Sequence, residues 1–272
     1  MVTLTETLGA RSPRVRAARA LTKRALRQRA RAFLVEGPQA VGEALGSGAA
    51  LTELFVTGEG SGRYQALVGE AQRQGTAVHL VGGEVMADLA QTVTPQGLLG
   101  VCGFIDVPLA RLTQARPPLV VVLSHVRDPG NAGTVLRTAD AAGAGGVVFS
   151  SASVDPYNGK CVRALAGSLF HLPVVVGAGP AEAVAALRAA GLRILAADGR
   201  GGRSLDDVAD AGELREPTAW LFGNEAWGLP DELLALADEA VAVPIYGSAE
   251  SLNLAAAAAV CLYGSARALY RS

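Results

Sequence analysis

The stretch "LVVVLSHVRDPGNAGTVLRTADAAGAGGVVFS", residues 119–150, decides the fold class of this chain. It begins with a continuous apolar run, which is typical of a parallel strand buried on both faces. A Pro-Gly-Asn turn follows, then a run whose apolar residues recur at helical spacing, then a second apolar run. The pattern predicts a strand–helix–strand unit of an open, mainly parallel α/β sheet.

The same alternation continues along the chain. We predict six strands in this sheet, a helix over 158–170, and an Ala-rich closing helix that begins at Ser251. Upstream, alternating short patterns predict a smaller α/β unit, and a proline-containing run predicts a linker. The predicted organisation is a basic N-terminal segment at 1–31, a small α/β domain at 32–106, a linker at 107–118 and the large sheet domain at 119–272.

Composition narrows the class of protein. The chain has 272 residues, of which 50% are hydrophobic and 18% charged, so it can bury a sizeable core. The start is Arg-rich and lacks an apolar central run, and the Ala-rich run after Leu254 is short for a membrane span. We therefore expect a cytoplasmic protein without a membrane segment, a mitochondrial presequence being the alternative reading of the basic start. Three single, widely spaced cysteines predict buried, reduced thiols and no metal site: Cys102, Cys161 and Cys261.

Charge is distributed unevenly although the net charge is −1. Residues 11–31 carry nine cations and no acidic residue: Arg11, Arg14, Arg16, Arg19, Lys23, Arg24, Arg27, Arg29 and Arg31. Such a segment is an electrostatic footprint for a polyanion, and we predict RNA contacts from Arg24, Arg27, Arg29 and Arg31. The alternative is an ordinary solvated helix face.

Three polar, glycine-containing loops each follow a predicted strand: "HVRDPGN" at 125–131, "GNEAWGLP" at 223–230 and "YGSAESLN" at 246–253. Ligands of open α/β sheets bind at the carboxyl ends of the strands. The three loops are therefore expected to converge on one site. None has a nucleotide-binding glycine signature of the P-loop or dinucleotide type.

The helix after the first loop carries one long cation, Arg137. Asn131 is the expected N-cap of this helix. Arg137 lies off the apolar stripe, above Gly133, from where it could reach back toward the strand ends. An exposed pair with Asp140 explains it equally well, so the residues alone leave a surface role and a site role open.

The other two loops also allow two readings. Two glycines flank the region of Glu225, which suggests close approach of a ligand to the backbone, although an ordinary loop anchored by Trp227 fits as well. Ser251 is the expected cap of the last helix, whose free N–H groups could bind an anion. His79, His125 and His171 are read as structural, with His125 the least certain because it lies in a candidate loop.

Taken together, the three loops resemble the motifs of the SpoU-type RNA 2′-O-ribose methyltransferases, the TrmH-like branch of the SPOUT class. "DPGNAGTVLRTADAAG" is similar to the first motif, "LFGNEAWGL" to the second and "VAVPIYGSAESLNLAAAAAV" to the third. "FLVEGPQAV" looks like the start of the family's ribosomal-protein-like RNA-binding domain. His125 and Ala226 depart from common family residues without removing a functional polar group.

The resemblance implies a trefoil knot in the C-terminal part, a homodimer and S-adenosylmethionine as cofactor. It also implies a set of functional polar residues: Asn131, Arg137, Glu225, Ser251 and Asn253. Cofactor contacts are implied at Gly223, Asn224, Gly228, Val243, Ile245 and Leu252.

The activity implied is methylation of a ribose 2′-hydroxyl in structured RNA, with 23S rRNA favoured. The alternatives are a tRNA 2′-O-methyltransferase and an inactive RNA-binding or ribosome-assembly factor. A nicotinamide-dependent enzyme lacks its glycine fingerprint. An arginine is too strongly protonated to act as a base, so we expect Arg137 to hold charge instead.

Overall fold

The computed structural model describes residues 7–90 and 92–271, so residues 1–6 of the predicted basic segment lie outside it. The chain folds into two compact units. Among the described residues, the first contains those from Thr7 to Ile105 and Tyr157–His171, and the second contains Asp106–Pro156 and those from Leu172 to Arg271. The segment 157–171, which the predicted boundaries assign to the large sheet domain, thus packs within the first unit.

Helices and strands alternate from the start of the described chain. Up to residue 103 they are β1 Thr7–Leu8, α1 Pro13–Ala20, α2 Arg24–Ala30, β2 Ala32–Glu36, α3 Pro38–Gly46, β3 Leu51–Val56, α4 Gly58–Arg63, α5 Gln65–Arg73, β4 Ala77–Val81, α6 Gly83–Leu89 and β5 Leu98–Gly103.

The alternation continues to the last helix, with short 3₁₀ turns at Ser168–Phe170 and Glu213–Arg215. The remaining elements are α7 Leu109–Gln114, β6 Leu119–Leu123, α8 Pro129–Ala141, β7 Val147–Ser150, α9 Gly159–Leu165, β8 Val174–Ala178, α10 Pro180–Ala189, β9 Arg193–Ala197, β10 Arg203–Ser204, α11 Leu205–Asp210, β11 Thr218–Phe222, α12 Asp231–Leu234, β12 Glu239–Ala242 and α13 Leu254–Tyr270.

The first unit is built on a five-stranded sheet in the order β1-β4-β3-β5-β2. β1, β4 and β3 pair in parallel, whereas β5 is antiparallel to both β3 and β2. Helix α1 belongs to this unit's core, because Val15 and Ala18 are buried against apolar residues of α6 and β5. Much of the basic segment is therefore folded structure.

The nine cations of the basic segment do not share one role. Arg27 is only 2% exposed, and its guanidinium donates to the backbone carbonyls of Leu21 and Thr22, at 2.9 Å each. It satisfies the carbonyls where α1 ends, as a basic side chain near a helix C-terminus can do. This burial corrects the prediction that Arg27 contacts RNA.

The neighbouring cations are exposed. Arg24 and Arg29 lie on the open face of α2, and the Arg31 guanidinium lies 4.7 Å from the centre of the Phe104 ring. Arg14 pairs with Glu53, and Arg19 pairs with Asp88. Five side chains form no hydrogen bond or ion pair with the described residues: Arg11, Arg16, Lys23, Arg24 and Arg29.

The second unit contains a seven-stranded parallel sheet in the order β10-β12-β9-β11-β6-β7-β8. Every residue of β6 and β11 is buried, as the continuous apolar runs predict for central parallel strands. The six predicted strands are confirmed, and the two-residue edge strand β10 adds a seventh. The predicted linker is wrong in one respect, because its central part forms α7, whose Leu112 is fully buried.

Strand order places the three candidate loops at one edge of this sheet. β6 lies beside β11, and β9 separates β11 from β12. Because all these strands run in the same direction, their carboxyl ends meet at one edge. The loops after β6, β11 and β12 are therefore neighbours, as the sequence predicts.

At the opposite edge of the sheet, a partly buried ion network connects the amino ends of β9, β10 and β12. Arg193 at the start of β9 donates to Glu213 at 2.5 Å and to Glu239, which begins β12, at 2.6 Å. Arg203 donates to the same two carboxylates. The two guanidinium groups, Arg203 foremost, lower the pKa of Glu213 from 4.5 to about 2.

The network predicts an acid-dependent loss of stability. Since the Glu213 pKa is lowered in the folded state, its carboxylate contributes stability above pH 4.5 that is lost as the pH falls toward 2. We expect Glu213→Gln to lower the urea midpoint at pH 7, and the difference from wild type to shrink between pH 4.5 and 2. Glu232→Gln, at an exposed carboxylate, is the control. A difference that is independent of pH would contradict this assignment.

Candidate active site

The first loop leads directly into helix α8. Asp128 is the N-cap, its carboxylate accepting the backbone N–H of Asn131 at 2.8 Å, and Pro129 is the first helical residue. The prediction that Asn131 caps this helix is therefore wrong. The cap lies three residues earlier, because an Asp followed by Pro is also a strong helix start. As a result, the Asn131 side chain is available for other contacts.

Glu225 connects the second loop to the first. Its carboxylate accepts the backbone N–H groups of Arg127 and Asp128, each at 3.3 Å. It also accepts the Nδ2 of Asn131 at 3.3 Å. One carboxylate thus holds the backbone before α8 and one side chain of its first turn.

Asn253 connects the third loop to the first. Its Nδ2 donates to Oδ1 of Asn131 at 3.1 Å, while its Oδ1 accepts the N–H groups of Ala255 and Ala256. Asn253 is therefore the N-cap of α13, which corrects the prediction for Ser251. Glu225, Asn131 and Asn253 form a continuous hydrogen-bonded chain across all three loops.

The second loop is a tight turn closed by its own backbone. Asn224 and Gly228 exchange two backbone hydrogen bonds, at 2.8 and 2.9 Å, and Gly228 has a φ of +76°. A Cβ on Gly223 would lie 2.3 Å from the carbonyl carbon of Gly228. The first position of this loop therefore requires glycine for close backbone approach.

A pocket of about 220 Å³ opens beside these loops. All six residues predicted to contact the cofactor line it: Gly223, Asn224, Gly228, Val243, Ile245 and Leu252. Glu225 and Ser251 line it as well. Asn131, Arg137 and Asn253 are not among its lining residues. The pocket and the hydrogen-bonded chain meet at Glu225.

The sequence reasoning missed several lining residues, among them Asp198, Gly199, Phe222 and Glu250. Asp198 follows β9, so the rule of strand carboxyl ends, applied to a fourth strand, would have found it. Its side chain is 6% exposed, and donation from Arg200 holds the pKa of its carboxyl below the ordinary value. Asp198 therefore contributes an ion-paired carboxylate to the pocket wall.

Arg137 is exposed on α8, and no hydrogen bond or ion pair joins its side chain to any residue in the described part of the chain. The alternative pair with Asp140 is not formed. Gly133, one turn earlier, is buried. The guanidinium keeps all its donors available for a ligand.

Other kinds of site find little support in residues 7–90 and 92–271. This part of the chain holds no cluster of three or more metal-ligating side chains. Its helices include none with the length and apolarity to cross a bilayer. The three cysteines are buried, and burial raises the pKa of Cys102 and Cys261 to about 12.

Comparison with known proteins places this geometry in a family. The sequence profile of the SpoU rRNA Methylase family matches residues 118–263. The chain belongs to the SpoU rRNA methylase family. The profile of the MRM3-like substrate binding domain matches residues 12–100 of this SpoU protein.

Relatives of this SpoU protein extend over most of its length. The 23S rRNA (guanosine(2553)-2′-O)-methyltransferase RlmP of Bacillus subtilis is 35% identical over 87% of this chain and 89% of its own. An AdoMet-bound rRNA methyltransferase of Sinorhizobium meliloti is 32% identical, with a TM-score of 0.83 over 98% of this chain and 99% of its own. The tRNA (guanosine(18)-2′-O)-methyltransferase of Thermus thermophilus is 36% identical over 57% of this chain and 78% of its own.

These findings confirm the predicted family, the predicted enzyme class and the predicted cofactor at the level of the family. The functional residues named above are assigned by position in the motifs, and their roles stay predictions.

The close approach at Gly223 gives a direct test of the pocket. Gly223→Ala should destabilise the fold by about 1–3 kcal/mol, because the added methyl group must displace the backbone of Gly228. It should also weaken S-adenosylmethionine binding, measured by calorimetry. Gly247→Ala is the control, since nothing lies within 4 Å of its Cβ position, and it should change stability by less than about 0.5 kcal/mol. Equal stability of the two variants would refute the proposed packing.

Proposed function

We propose that this SpoU protein transfers a methyl group from S-adenosylmethionine to a ribose 2′-hydroxyl of 23S rRNA. The observation that carries the proposal is the chain of hydrogen bonds from Glu225 through Asn131 to Asn253. It joins the three motif loops beside a pocket lined by all the residues predicted to hold the cofactor.

The residues of the pocket suit S-adenosylmethionine. Val243, Ile245 and Leu252 offer an apolar surface to an adenine ring. Because Gly223 and Gly228 have no side chains, a ligand can approach the backbone there. The exposed carboxylate of Glu250 lines the pocket and complements the ligand's positive ammonium and sulfonium groups, whereas Asp198 is already paired with Arg200. When bound, the cofactor supplies the activated methyl group.

Arg137 is proposed to hold charge rather than to remove a proton. A guanidinium carries N–H donors and no acceptor, so it does not take up the hydroxyl proton. It can grip a phosphate of the RNA with two parallel hydrogen bonds and stabilise negative charge that develops on the 2′-oxygen. The proton then passes to the phosphate or to water.

The polar residues of the second and third loops divide into two roles. Both ends of the Asn253 amide are engaged within the protein, so we assign it to positioning Asn131 and the start of α13. Glu225 positions Asn131 and the loop before α8. Ser251 lines the pocket and is proposed to fix the ribose or the methionine end of the cofactor.

Ribosomal RNA is favoured over tRNA by the extent of the similarities. The Bacillus subtilis 23S rRNA enzyme aligns with 87% of the chain, whereas the Thermus thermophilus tRNA enzyme aligns with 57%. The match of the substrate binding domain profile to residues 12–100 supports a separate RNA-binding region in this chain. An inactive RNA-binding or ribosome-assembly factor would have no need of five intact polar residues. Transfer of labelled methyl to total RNA, followed by 2′-O-methyl mapping, tests this assignment.

The expected assembly and location follow from the same family. We propose a homodimer that uses the exposed apolar side of α13, where Val260 is 43% and Tyr263 is 54% exposed. The small side chains after Asn253 suit close helix packing at such an interface. A cytoplasmic location and a trefoil knot in the C-terminal part are proposed with it.

The charge-holding role of Arg137 predicts that even a lysine at this position impairs turnover. Arg137→Lys keeps the charge but loses the two-pronged donor, so kcat should fall about 100-fold while RNA affinity changes little. Arg111→Lys, at an exposed arginine of α7, should leave kcat unchanged. Single-turnover methyl transfer and filter binding measure the two quantities. Near-normal turnover by Arg137→Lys would refute the proposed two-hydrogen-bond contact with the phosphate.

Exposed and buried arginines of α2 are expected to have different roles, in RNA binding and in stability. Arg24→Gln together with Arg29→Gln should weaken RNA binding and reduce its salt slope by about 1 for each phosphate contact removed. Arg27→Gln should instead lower the unfolding free energy by about 1–3 kcal/mol, because it leaves buried carbonyls without donors. An unchanged salt slope in the double variant would exclude α2 from the RNA-binding surface.

A further inference from the structure

One aromatic side chain of the second loop is exposed next to the site. Trp227 has 52% of its surface accessible, whereas the other tryptophan, Trp220, is fully buried and donates to Ser265. Trp227 lies two residues from Glu225 in the same turn but does not line the cofactor pocket. Neither the proposed chemistry nor cofactor binding uses it.

The turn that carries Trp227 is fixed on both sides. The backbone pairing of Asn224 with Gly228 closes it, and the Asn224 side chain accepts the N–H of Ala226 at 2.9 Å. Nδ2 of Asn224 also donates to the carbonyl of His125 at 2.9 Å. The indole is therefore presented by a rigid turn, even though much of its surface is in solvent.

His125 supports the ring from the first loop. It has a φ of +60°, and its Nδ1 lies 2.8 Å from the hydroxyl of the buried Ser124. The imidazole meets the indole edge-on, with ring centres 5.3 Å apart and planes at 63°. Because 52% of Trp227 remains accessible beside this contact, aromatic surface of the indole is open to a ligand.

We propose that Trp227, held by His125, is a stacking platform for an unpaired nucleobase of the substrate RNA, at or beside the methylated nucleotide. This rests on the proposed function. Proteins that read single-stranded RNA stack its splayed bases on aromatic side chains. Arg127 and Arg137, two exposed arginines whose side chains have no partners among the described residues, belong to the adjoining loop and helix and can bind the flanking phosphates.

A nucleobase fits this position better than a second protein copy does. The turn and the loop bonded to it carry polar residues: Asn224 and Glu225 in the turn, and Arg127 in the loop. A single exposed ring in polar surroundings lacks the contiguous apolar area of a subunit interface. Charged phosphates beside an aromatic face are instead the usual combination for single-stranded RNA.

The test compares Trp227→Ala with Trp227→Phe, which keeps a flat ring. The wild type and both variants are titrated with total 23S rRNA and assayed for methyl transfer. Trp227→Ala should weaken RNA binding or raise the KM for RNA by about 5- to 150-fold. Trp227→Phe should recover most of this loss, and S-adenosylmethionine affinity should be unchanged in both. Leu236→Ala, which trims another exposed apolar side chain, should behave like wild type.

Fluorescence provides a second readout. RNA should quench the emission of the wild type, and this quenching should disappear in Trp227→Phe, because the remaining Trp220 is buried. Wild-type RNA affinity and KM in Trp227→Ala would overturn the platform, and so would a loss that accompanies dissociation of an oligomer. Absence of methyl transfer by the wild type would refute the proposed function itself, whatever the variants do.

Discussion

The carboxylate of Glu225 accepts three N–H groups, two from the backbone before α8 and one from Asn131, and the arrangement of the other loops depends on these bonds. A carboxylate with several donors is a strong, directional acceptor. It fixes the start of α8, and Asn131 then fixes Asn253 and the start of α13. A single acidic residue in the second loop thereby sets the positions of the first and the third.

The sheet makes this arrangement possible. β6 and β11 are neighbours with every residue buried, so their carboxyl ends are held in register by a rigid core. At the far end, the ion pairs of Arg193 and Arg203 hold β9, β10 and β12. The loops can therefore be short and polar without losing their relative positions. Close backbone approach at Gly223 then shapes the pocket between them.

Periodicity predicted the strands and the converging loops because buried parallel strands leave a continuous apolar signal. It failed where two residues in one loop were both able to cap a helix: Asp128 and Asn253 do so, in place of Asn131 and Ser251. It could not separate Arg27 from its neighbours either, since the burial of this cation depends on carbonyls that the turn between α1 and α2 presents to it. The roles of Asn131 and Arg137 needed the family motifs, because residue spacing alone left them open.

The path of the chain has a consequence for how the protein is made. Helix α9 buries Cys161, Val162 and Leu165 within the first unit, although it is encoded between β7 and β8 of the second. During synthesis the first unit cannot be completed before residue 171 has been made, and by then the residues of β6 and β7 have already been synthesised. A cut in the run between β5 and β6 would therefore separate α9 from the sheet of the first unit.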